Sequence, residues 1–187
     1  MRKILLLSAT HLEHGVNSIE DNPIFETGVG KISAANTTTH LIHQYKPDLV
    51  INFGSCGNLK NYKIGEVIRI GKVYNDIDTR PFSDYGFTPF SKYGPIKFDV
   101  SDVECFSTDY FYDSTQTHYS EKYMEMIKTC DVVDMELYAI AQVCDTMGVP
   151  LQSYKWISDD GSSDDWSKNA KLGFDAFKNY YINTFKK

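Results

Sequence analysis

Three acidic side chains, Glu13, Glu136 and Asp159, each stand shortly after an apolar run of strand length. Side chains at the ends of strands in a layered fold can meet at one edge of the sheet. A cluster of carboxyl groups allows one group to hold a proton while a neighbour stays ionised, which is the arrangement that general acid–base chemistry needs. Whether these three acids meet depends on the order of strands and helices along the chain.

Apolar runs alternate with helical patterns along the chain. The runs cover residues 3–8, 48–53, 66–73, 131–135 and 151–157, and the helical patterns cover residues 31–45, 119–129, 135–147 and about 169–185. In the first helix, the spacing of Ile32, Ala35, Thr39 and Ile42 predicts one buried stripe. The alternation predicts an α/β layered fold with a largely parallel central sheet.

The chain is predicted to form one domain over residues 1–187. This length is enough for one sizeable core and too short for two full ones, and no repeat or linker divides it. Residues 74–100 are rich in Pro, Gly, Ser, Asp and Tyr and lack periodicity. A loop of that length is often functional or part of an interface.

Charge and composition exclude several kinds of protein. The formal net charge is −6, which argues against binding to a nucleic-acid backbone. No apolar stretch is long enough to span a bilayer, and the first apolar run is too short for a signal peptide. The four cysteines are widely spaced, as in reduced cytosolic enzymes. We therefore expect a cytoplasmic protein that acts on a small molecule.

Three segments are specific in their order and spacing. They are residues 26–31 (ETGVGK) before a helix, residues 51–59 (INFGSCGNL) after a strand, and residues 133–136 (VDME) followed later by residues 156–159 (WISD). With them the sequence resembles the purine nucleoside phosphorylase superfamily, and most of all its methylthioadenosine/S-adenosylhomocysteine nucleosidases. The resemblance implies a three-layer α/β/α sandwich around a mixed, partly closed central sheet. It also implies a purine nucleoside substrate, no metal, no organic cofactor and usually a homodimer.

The resemblance assigns roles to individual residues as well. Asp159 matches the catalytic acid, Glu13 matches the carboxylate that positions the attacking water, and Glu136 matches the carboxylate that binds the ribose hydroxyls. Substrate contacts are implied for Met135 against the sugar, Ser55 near the sugar and the water, Phe111 stacked on the base, Ser158 and Gly57 within the motifs, and Lys155 beside the acidic cluster.

Two of these assignments leave alternatives open. Relatives carry an arginine at the position of Lys155, and lysine keeps the charge but loses the planar fork. Tyr110 and Tyr112 flank Phe111, so either neighbour could supply the stacking ring.

Cleavage of a ribose–purine bond builds positive charge on the sugar and negative charge on the base. A carboxylic acid near the base nitrogen N7 can give the leaving group a proton. It must stay neutral near pH 7, which requires burial or nearby carboxylates to raise its pKa. We expect Asp159 to be this acid, with Glu13 and Glu136 close enough to supply the like charge.

Water is the predicted nucleophile. Phosphate binding calls for cations, typically arginine, and the chain contains three, Arg2, Arg69 and Arg80. Asn52 stands where the hexameric phosphorylases carry an arginine, and Glu13 would repel phosphate. The triplet 55–57 (SCG) is phosphorylase-like, so a phosphate-dependent phosphorylase is the first alternative. A non-catalytic nucleoside-binding protein is the second.

Two histidine pairs have a spacing that can ligate a metal, namely His11 with His14 and His40 with His43. The second pair lies on a predicted helix, and the sequence shows no third ligand beside the first. We therefore expect no metal site.

Overall fold

The computed structural model describes residues 2–186 and consists of one sheet with helices on both faces. Its strands are β1 (Ile4–Ser8), β2 (Ser18–Ile19), β3 (Asn22–Glu26), β4 (Leu49–Asn58), β5 (Val67–Ile70), β6 (Lys72–Asn75), β7 (Ile96–Lys97), β8 (Glu104–Ser107), β9 (Val132–Asp134) and β10 (Leu151–Asp159). Its helices are α1 (Lys31–Tyr45), α2 (Glu121–Thr129), α3 (Leu137–Met147), α4 (Ser163–Asn169) and α5 (Phe174–Phe185), with a 3₁₀ helix at His11–Glu13.

Strand β4 organises the sheet. It pairs in parallel with β1 on one side and with β10 on the other, and its last two residues pair antiparallel with β9. The order continues from β9 through β8, β6 and β7, while β5 pairs with β10 as a branch. Because β4 pairs in parallel with β1 and β10 and antiparallel with β9, the sheet is mixed, as expected.

Two separate cores cover the two faces of the sheet. Leu5 and Leu7 of β1 pack in the core that includes residues of α1 and α3. Leu6 of the same strand packs with Phe53 and Phe177 in the core on the α5 side. A strand that is buried on both faces has a nearly continuous apolar sequence. This explains the apolar run at the start of β4. The three-layer α/β/α sandwich is therefore confirmed.

Helix α1 has the predicted limits but not the predicted face. Its buried residues are Ala34, Thr38, Leu41 and Ile42. Ile32 is 87% exposed and, with Ala35 and Thr39, lines an open groove between α1 and α3. The predicted stripe was wrong because apolar residues occur on two sides of this helix and periodicity alone does not say which side meets the sheet.

Two predicted elements are each divided in the structure. The strand predicted over residues 66–73 is two strands that separate at Gly71, where a Cβ atom would lie 1.8 Å from the carbonyl oxygen of Ser101. The helix predicted near residues 169–185 is preceded by the separate helix α4. Within residues 2–186, no helix combines the length and apolar character that crossing a membrane requires.

Removal of the Phe177 ring tests the core on the α5 side. The ring stacks on Phe53 with centroids 4.5 Å apart and is fully buried. We expect Phe177→Ala to lower the free energy of unfolding by about 3–5 kcal/mol, measured by urea denaturation. Phe82→Ala, at a ring that is 75% exposed, should change it by less than about 0.5 kcal/mol. Equal losses in the two variants would contradict this account of the core.

Candidate active site

A cavity of about 160 Å³ opens where β1, β4, β9 and β10 end. Seven of the nine residues predicted for the site line it, namely Glu13, Ser55, Gly57, Phe111, Met135, Glu136 and Asp159. Residues from opposite ends of the chain therefore meet in one wall, because the parallel strands β1, β4 and β10 end at the same edge and β9 pairs with the last residues of β4.

Glu13 is fixed by five hydrogen bonds. The backbone N–H and the hydroxyl of Ser55 each donate to Oε1 over 2.7 Å. The Ser8 hydroxyl donates to Oε2 over 2.7 Å, and the N–H groups of Ala9 and Thr10 donate to the same oxygen over 3.1 and 3.4 Å. Both oxygens accept from fixed donors, so this buried side chain is held as an oriented acceptor.

The local sequence explains how Glu13 reaches this position. Thr10 caps the 3₁₀ helix, and its hydroxyl accepts the N–H of Leu12 while Glu13 folds back onto the N–H of Thr10. This reciprocal pattern is a capping box. On the facing strand, Gly54 leaves room for the carboxylate, because a Cβ there would lie 2.7 Å from Oε1 of Glu13.

Asp159 is held at the end of β10. Its Oδ1 accepts the N–H groups of Gly161 and Ser162 over 2.9 and 3.3 Å, and its Oδ2 lies 2.8 Å from the Ser158 hydroxyl. The pairing of β10 with β4 shifts register just before Asp159. Gly57 lies opposite, and a Cβ there would come within 3.5 Å of Oδ1, so the absent side chain keeps space beside the acid.

A buried ion pair joins Asp134 in the cavity wall to Lys155 behind it. Lys155 Nζ is 2.9 Å from Oδ2 of Asp134, and both side chains are almost fully buried. Burial opposes the charge on Asp134, but Lys155, the Ser107 hydroxyl and the N–H of Leu137 outweigh it and lower its pKa. Burial also opposes the charge on Lys155, and the carboxylates of Asp134, Glu136 and Glu13 outweigh it and raise the pKa of the ammonium.

Glu136 is buried and bonded to the main chain. Its Oε1 accepts the N–H of Gly30 over 2.8 Å, and the side chain is buried. Burial, with the nearby charge of Asp134, raises its pKa to about 8, although Lys155 and the Gly30 N–H act in the opposite direction. The Glu136 carboxyl group therefore holds a proton near neutral pH.

Two of the nine predicted residues, Lys155 and Ser158, do not line the cavity. Lys155 is directed to Asp134 behind the wall. The Ser158 hydroxyl lies between the Cys56 carbonyl and Asp159. Lys155 therefore affects the cavity through Asp134, and Ser158 affects it through Asp159. Only part of strand β10 faces the opening.

Sequence reasoning missed Trp166, which lines the cavity from helix α4. Its Nε1–H donates to Oγ of Ser55 over 3.0 Å, so this hydroxyl is bonded to both Trp166 and Glu13. The available signal was a lone large aromatic residue in an otherwise polar helical segment, residues 163–169. No motif marks it.

Aromatic side chains form the outer wall. Phe111 is 37% exposed at the mouth, and Tyr110 and Tyr112 line the cavity beside it. A ring that is only partly covered offers a face for stacking on a flat ligand.

Cations are absent from the part of the wall formed by residues 2–186, where no lysine or arginine is a lining residue. Two of the three arginines have acidic partners elsewhere, Arg69 with Asp99 and Arg80 with Asp78. The cavity therefore offers four carboxyl groups, those of Glu13, Asp134, Glu136 and Asp159, and no lysine or arginine of its described wall to an anionic ligand.

Comparisons with known proteins agree with this geometry. The profile of the phosphorylase superfamily matches residues 22–178. A 5′-methylthioadenosine/S-adenosylhomocysteine nucleosidase of Buchnera aphidicola is 34% identical over 188 residues, which cover 88% of this chain and 77% of that protein. The enzyme of the same name from Staphylococcus aureus is 30% identical, covering 91% and 81%.

Solved structures share the fold. A mutant of the Helicobacter pylori nucleosidase with 5′-methylthioadenosine in its active site superposes with a TM-score of 0.81 at 21% identity, covering 98% of this chain and 99% of the other. A futalosine hydrolase mutant of Helicobacter pylori superposes with a TM-score of 0.80 at 20% identity, covering 98% and 100%.

The raised pKa of Glu136 predicts a pH-dependent loss of stability. A folded-state pKa of about 8, above the ordinary value of 4.5, means that the folded chain binds the proton more tightly than the unfolded chain. The free energy of unfolding therefore falls as pH rises from about 4.5 through about 8. Glu136→Gln should gain stability relative to the wild type over that range by more than about 1.4 kcal/mol, the equivalent of one pKa unit.

Urea unfolding at a series of pH values measures this difference. Glu121→Gln, at an exposed carboxylate on α2, is the matched control for the loss of one acidic group. Parallel stability curves for Glu136→Gln and the wild type would show that burial does not hold a proton on Glu136.

Proposed function

We propose that this chain, which belongs to the phosphorylase superfamily, hydrolyses the N-glycosidic bond of a purine nucleoside. The observation that carries this proposal is the meeting of Glu13, Glu136 and Asp159 in one cavity with the partly exposed ring of Phe111. Glycoside cleavage commonly uses one carboxyl group as acid and another to act on water. The chain is accordingly an enzyme and a hydrolase of purine nucleosides.

The proposed substrates are 5′-methylthioadenosine and S-adenosylhomocysteine. Two relatives named for these compounds are 34% and 30% identical to this chain over most of its length. Val29 and Met135 provide apolar surface in the cavity wall, which suits a sugar that carries a thioether in place of a polar group. Futalosine belongs in the same substrate panel, because a futalosine hydrolase shares the fold.

Asp159 is the proposed proton donor to N7 of the base. The single proton of the Ser158 hydroxyl faces two acceptors, the Cys56 carbonyl at 3.1 Å and Oδ2 of Asp159 at 2.8 Å. When Asp159 is protonated, it can donate to Ser158 while Ser158 donates to Cys56. When Asp159 has lost its proton, the hydroxyl can turn and donate to the carboxylate. Ser158 is thus a positioning residue that suits both states of an acid.

Glu13 is the proposed acceptor for a proton from the attacking water. Water adds to C1′ of the ribose as the bond from C1′ to the base nitrogen breaks, and the bonding electrons leave with the purine. Asp159 supplies the proton that neutralises the base, while Glu13 takes the proton that the water loses. The bonds from Ser55 and Ser8 hold Glu13 in one orientation, so little reorganisation is required during reaction.

The remaining wall binds the sugar and the base. We assign Glu136 to the ribose hydroxyls, Met135 to the sugar face and Phe111 to stacking on the purine. Gly57 keeps the space between Asp159 and the base free of a side chain. Lys155 contributes through Asp134, since its positive charge behind the wall offsets the accumulated carboxylates.

Hydrolysis is favoured over phosphorolysis by the charge of the cavity. A bound phosphate would face four carboxyl groups without an arginine or lysine from the described wall, residues 2–186. Phosphate recognition normally relies on such cations. Water carries no charge and needs only an oriented acceptor, which Glu13 provides.

Replacement of the acid tests the proposed mechanism. Asp159→Asn removes the transferable proton but keeps the size of the side chain. We expect kcat for release of adenine from 5′-methylthioadenosine to fall by about 10²–10⁴-fold, with little change in KM. Chromatography of the free base, with and without added phosphate, measures both the loss and the nucleophile.

The neighbouring Asp160→Asn is the matched control. Asp160 is exposed and accepts a hydrogen bond from Asn58 over 2.8 Å outside the cavity wall, so this variant should keep wild-type turnover. Full activity in Asp159→Asn would rule out the proposed acid. A strict requirement for phosphate would instead identify a phosphorylase, and nucleoside binding without any turnover by the wild type would identify a binding protein.

A homodimer is also part of the proposal. Ile32 and Ala35 of α1 face Val143 and Met147 of α3 across an open groove that also includes Asp109, two residues before Phe111. Exposed apolar surface of this kind marks interaction sites. A second copy seated here would cover the groove and approach the aromatic wall of the cavity.

Placing a charge in the groove tests the dimer. We expect Ile32→Glu to convert a two-chain particle to a single chain in sedimentation velocity, because the carboxylate would be buried at the interface without a partner. Val100→Glu, at another highly exposed position outside the groove, should leave the assembly unchanged. A single-chain wild type would contradict the assignment.

We place the protein in the cytoplasm. Cys56, Cys105, Cys130 and Cys144 are all buried free thiols. Unpaired cysteines persist most readily in a reducing compartment, which supports this location.

A further inference from the structure

We propose that His11, His14 and Glu26 form a binding site for one divalent transition-metal ion of the zinc class. One potential ligand atom from each side chain lies within 4.8 Å of those of the other two. Two imidazoles and one carboxylate are a ligand set that suits Zn²⁺, with a water molecule in the fourth position. This site is separate from the cavity and does not depend on the proposed function.

His14 is the strongest indication of a missing partner. Its Nδ1 lies 2.7 Å from the carbonyl oxygen of Val16, and a carbonyl can only accept, so Nδ1 carries the proton. The other nitrogen, Nε2, then has a free lone pair, and it is buried without a hydrogen-bond partner. Buried polar atoms are normally satisfied, and a histidine whose far nitrogen donates to a carbonyl is the usual form of a metal ligand.

His11 and Glu26 complete the cluster from the solvent side. Nδ1 of His11 lies 3.3 Å from Oε1 of Glu26, and both side chains are about half exposed. Tetrahedral bonds of about 2.0–2.1 Å place ligand atoms roughly 3.3 Å apart. The pair already has this spacing, and its exposure leaves both side chains free to turn toward His14.

Simpler explanations cover only part of the cluster. An exposed ion pair accounts for His11 and Glu26 and contributes about 0–1 kcal/mol. The rings of Phe53 and Phe174, each 6.1 Å from that of His14, account for its packing. Neither explanation gives Nε2 of His14 a partner, whereas a metal ion shared by all three residues does.

The sheet explains why the third ligand was not visible in the sequence. Strands β1 and β3 are parallel neighbours, and Glu26 pairs with Ser8 at the end of β1. The chain then continues from Ser8 into the 3₁₀ helix that carries His11. Register therefore brings Glu26 to the histidines although it lies 12 positions after His14 in the chain.

A metal ion bound here would link the 3₁₀ helix to the end of β3, two segments that border the cavity. Glu13 lies between the two histidines on the 3₁₀ helix. Glu26 ends β3 and leads to Val29 in the cavity wall and to Gly30, which bonds Glu136. The ion would thus be a structural clamp, and its binding should raise the melting temperature of the chain.

Metal titration of the full chain tests the site. We expect chelator-treated protein to bind one Zn²⁺ per chain by calorimetry and elemental analysis, and Co²⁺ in the same place to give the absorption bands of a tetrahedral complex. His11→Ala and Glu26→Gln change exposed side chains, so the fold should survive. Each should weaken Zn²⁺ binding by at least roughly 10–100-fold, since loss of even an outer-shell group has that effect.

His40→Ala combined with His43→Ala is the matched control. This pair has the same spacing on the exposed side of α1 and should leave the Zn²⁺ affinity and the Zn²⁺-dependent rise in melting temperature unchanged. Binding that persists in both His11→Ala and Glu26→Gln, or that disappears in the control, would overturn the proposal. So would the absence of Zn²⁺ binding by the wild type.

Discussion

The ion pair between Lys155 and Asp134 is the interaction on which the site depends. Two charges inside a protein carry a large desolvation cost, which is offset only when close partners satisfy both. Asp134 has Lys155 at 2.9 Å, the N–H of Leu137 at 2.9 Å and the Ser107 hydroxyl. Its bond to Leu137 fixes the start of α3, and the position of Met135 and Glu136 follows from that start.

The positive charge of Lys155 behind the wall offsets the four carboxyl groups that line one small cavity, and three of these groups lie in clearly different environments. Glu13 is saturated with donors, Glu136 is buried with an elevated pKa, and Asp159 shares a serine proton with a backbone carbonyl. Distinct environments of this kind separate acid from base among chemically similar groups. Lys155 supplies this positive charge as a single ammonium group that pairs directly with one carboxylate, Asp134.

Much of the fold and of the site could be predicted from sequence, because continuous apolar runs identify buried strands and motifs at their ends identify the acids. The limits of α1 were predicted, but its buried face was not, since Ile32 lies on a second apolar side. Seven of the nine predicted site residues line the cavity. The place of Trp166 in the cavity wall and the place of Glu26 beside the two histidines were not predicted. Packing and strand register determine these positions, and no local sequence pattern indicates them.

The hydrogen bonds from Ser55 N–H to Glu13 and from Gly30 N–H to Glu136 come from main chain rather than from side chains. A substitution at Ser55 by any residue except proline keeps the amide proton that Glu13 accepts, whereas Gly30 has a positive φ of 90° that favours glycine. The aromatic wall at residues 110–112 lies in a long connection between β8 and α2. Substitutions in this connection can therefore change the shape of the outer wall without altering the strand ends that hold the acids.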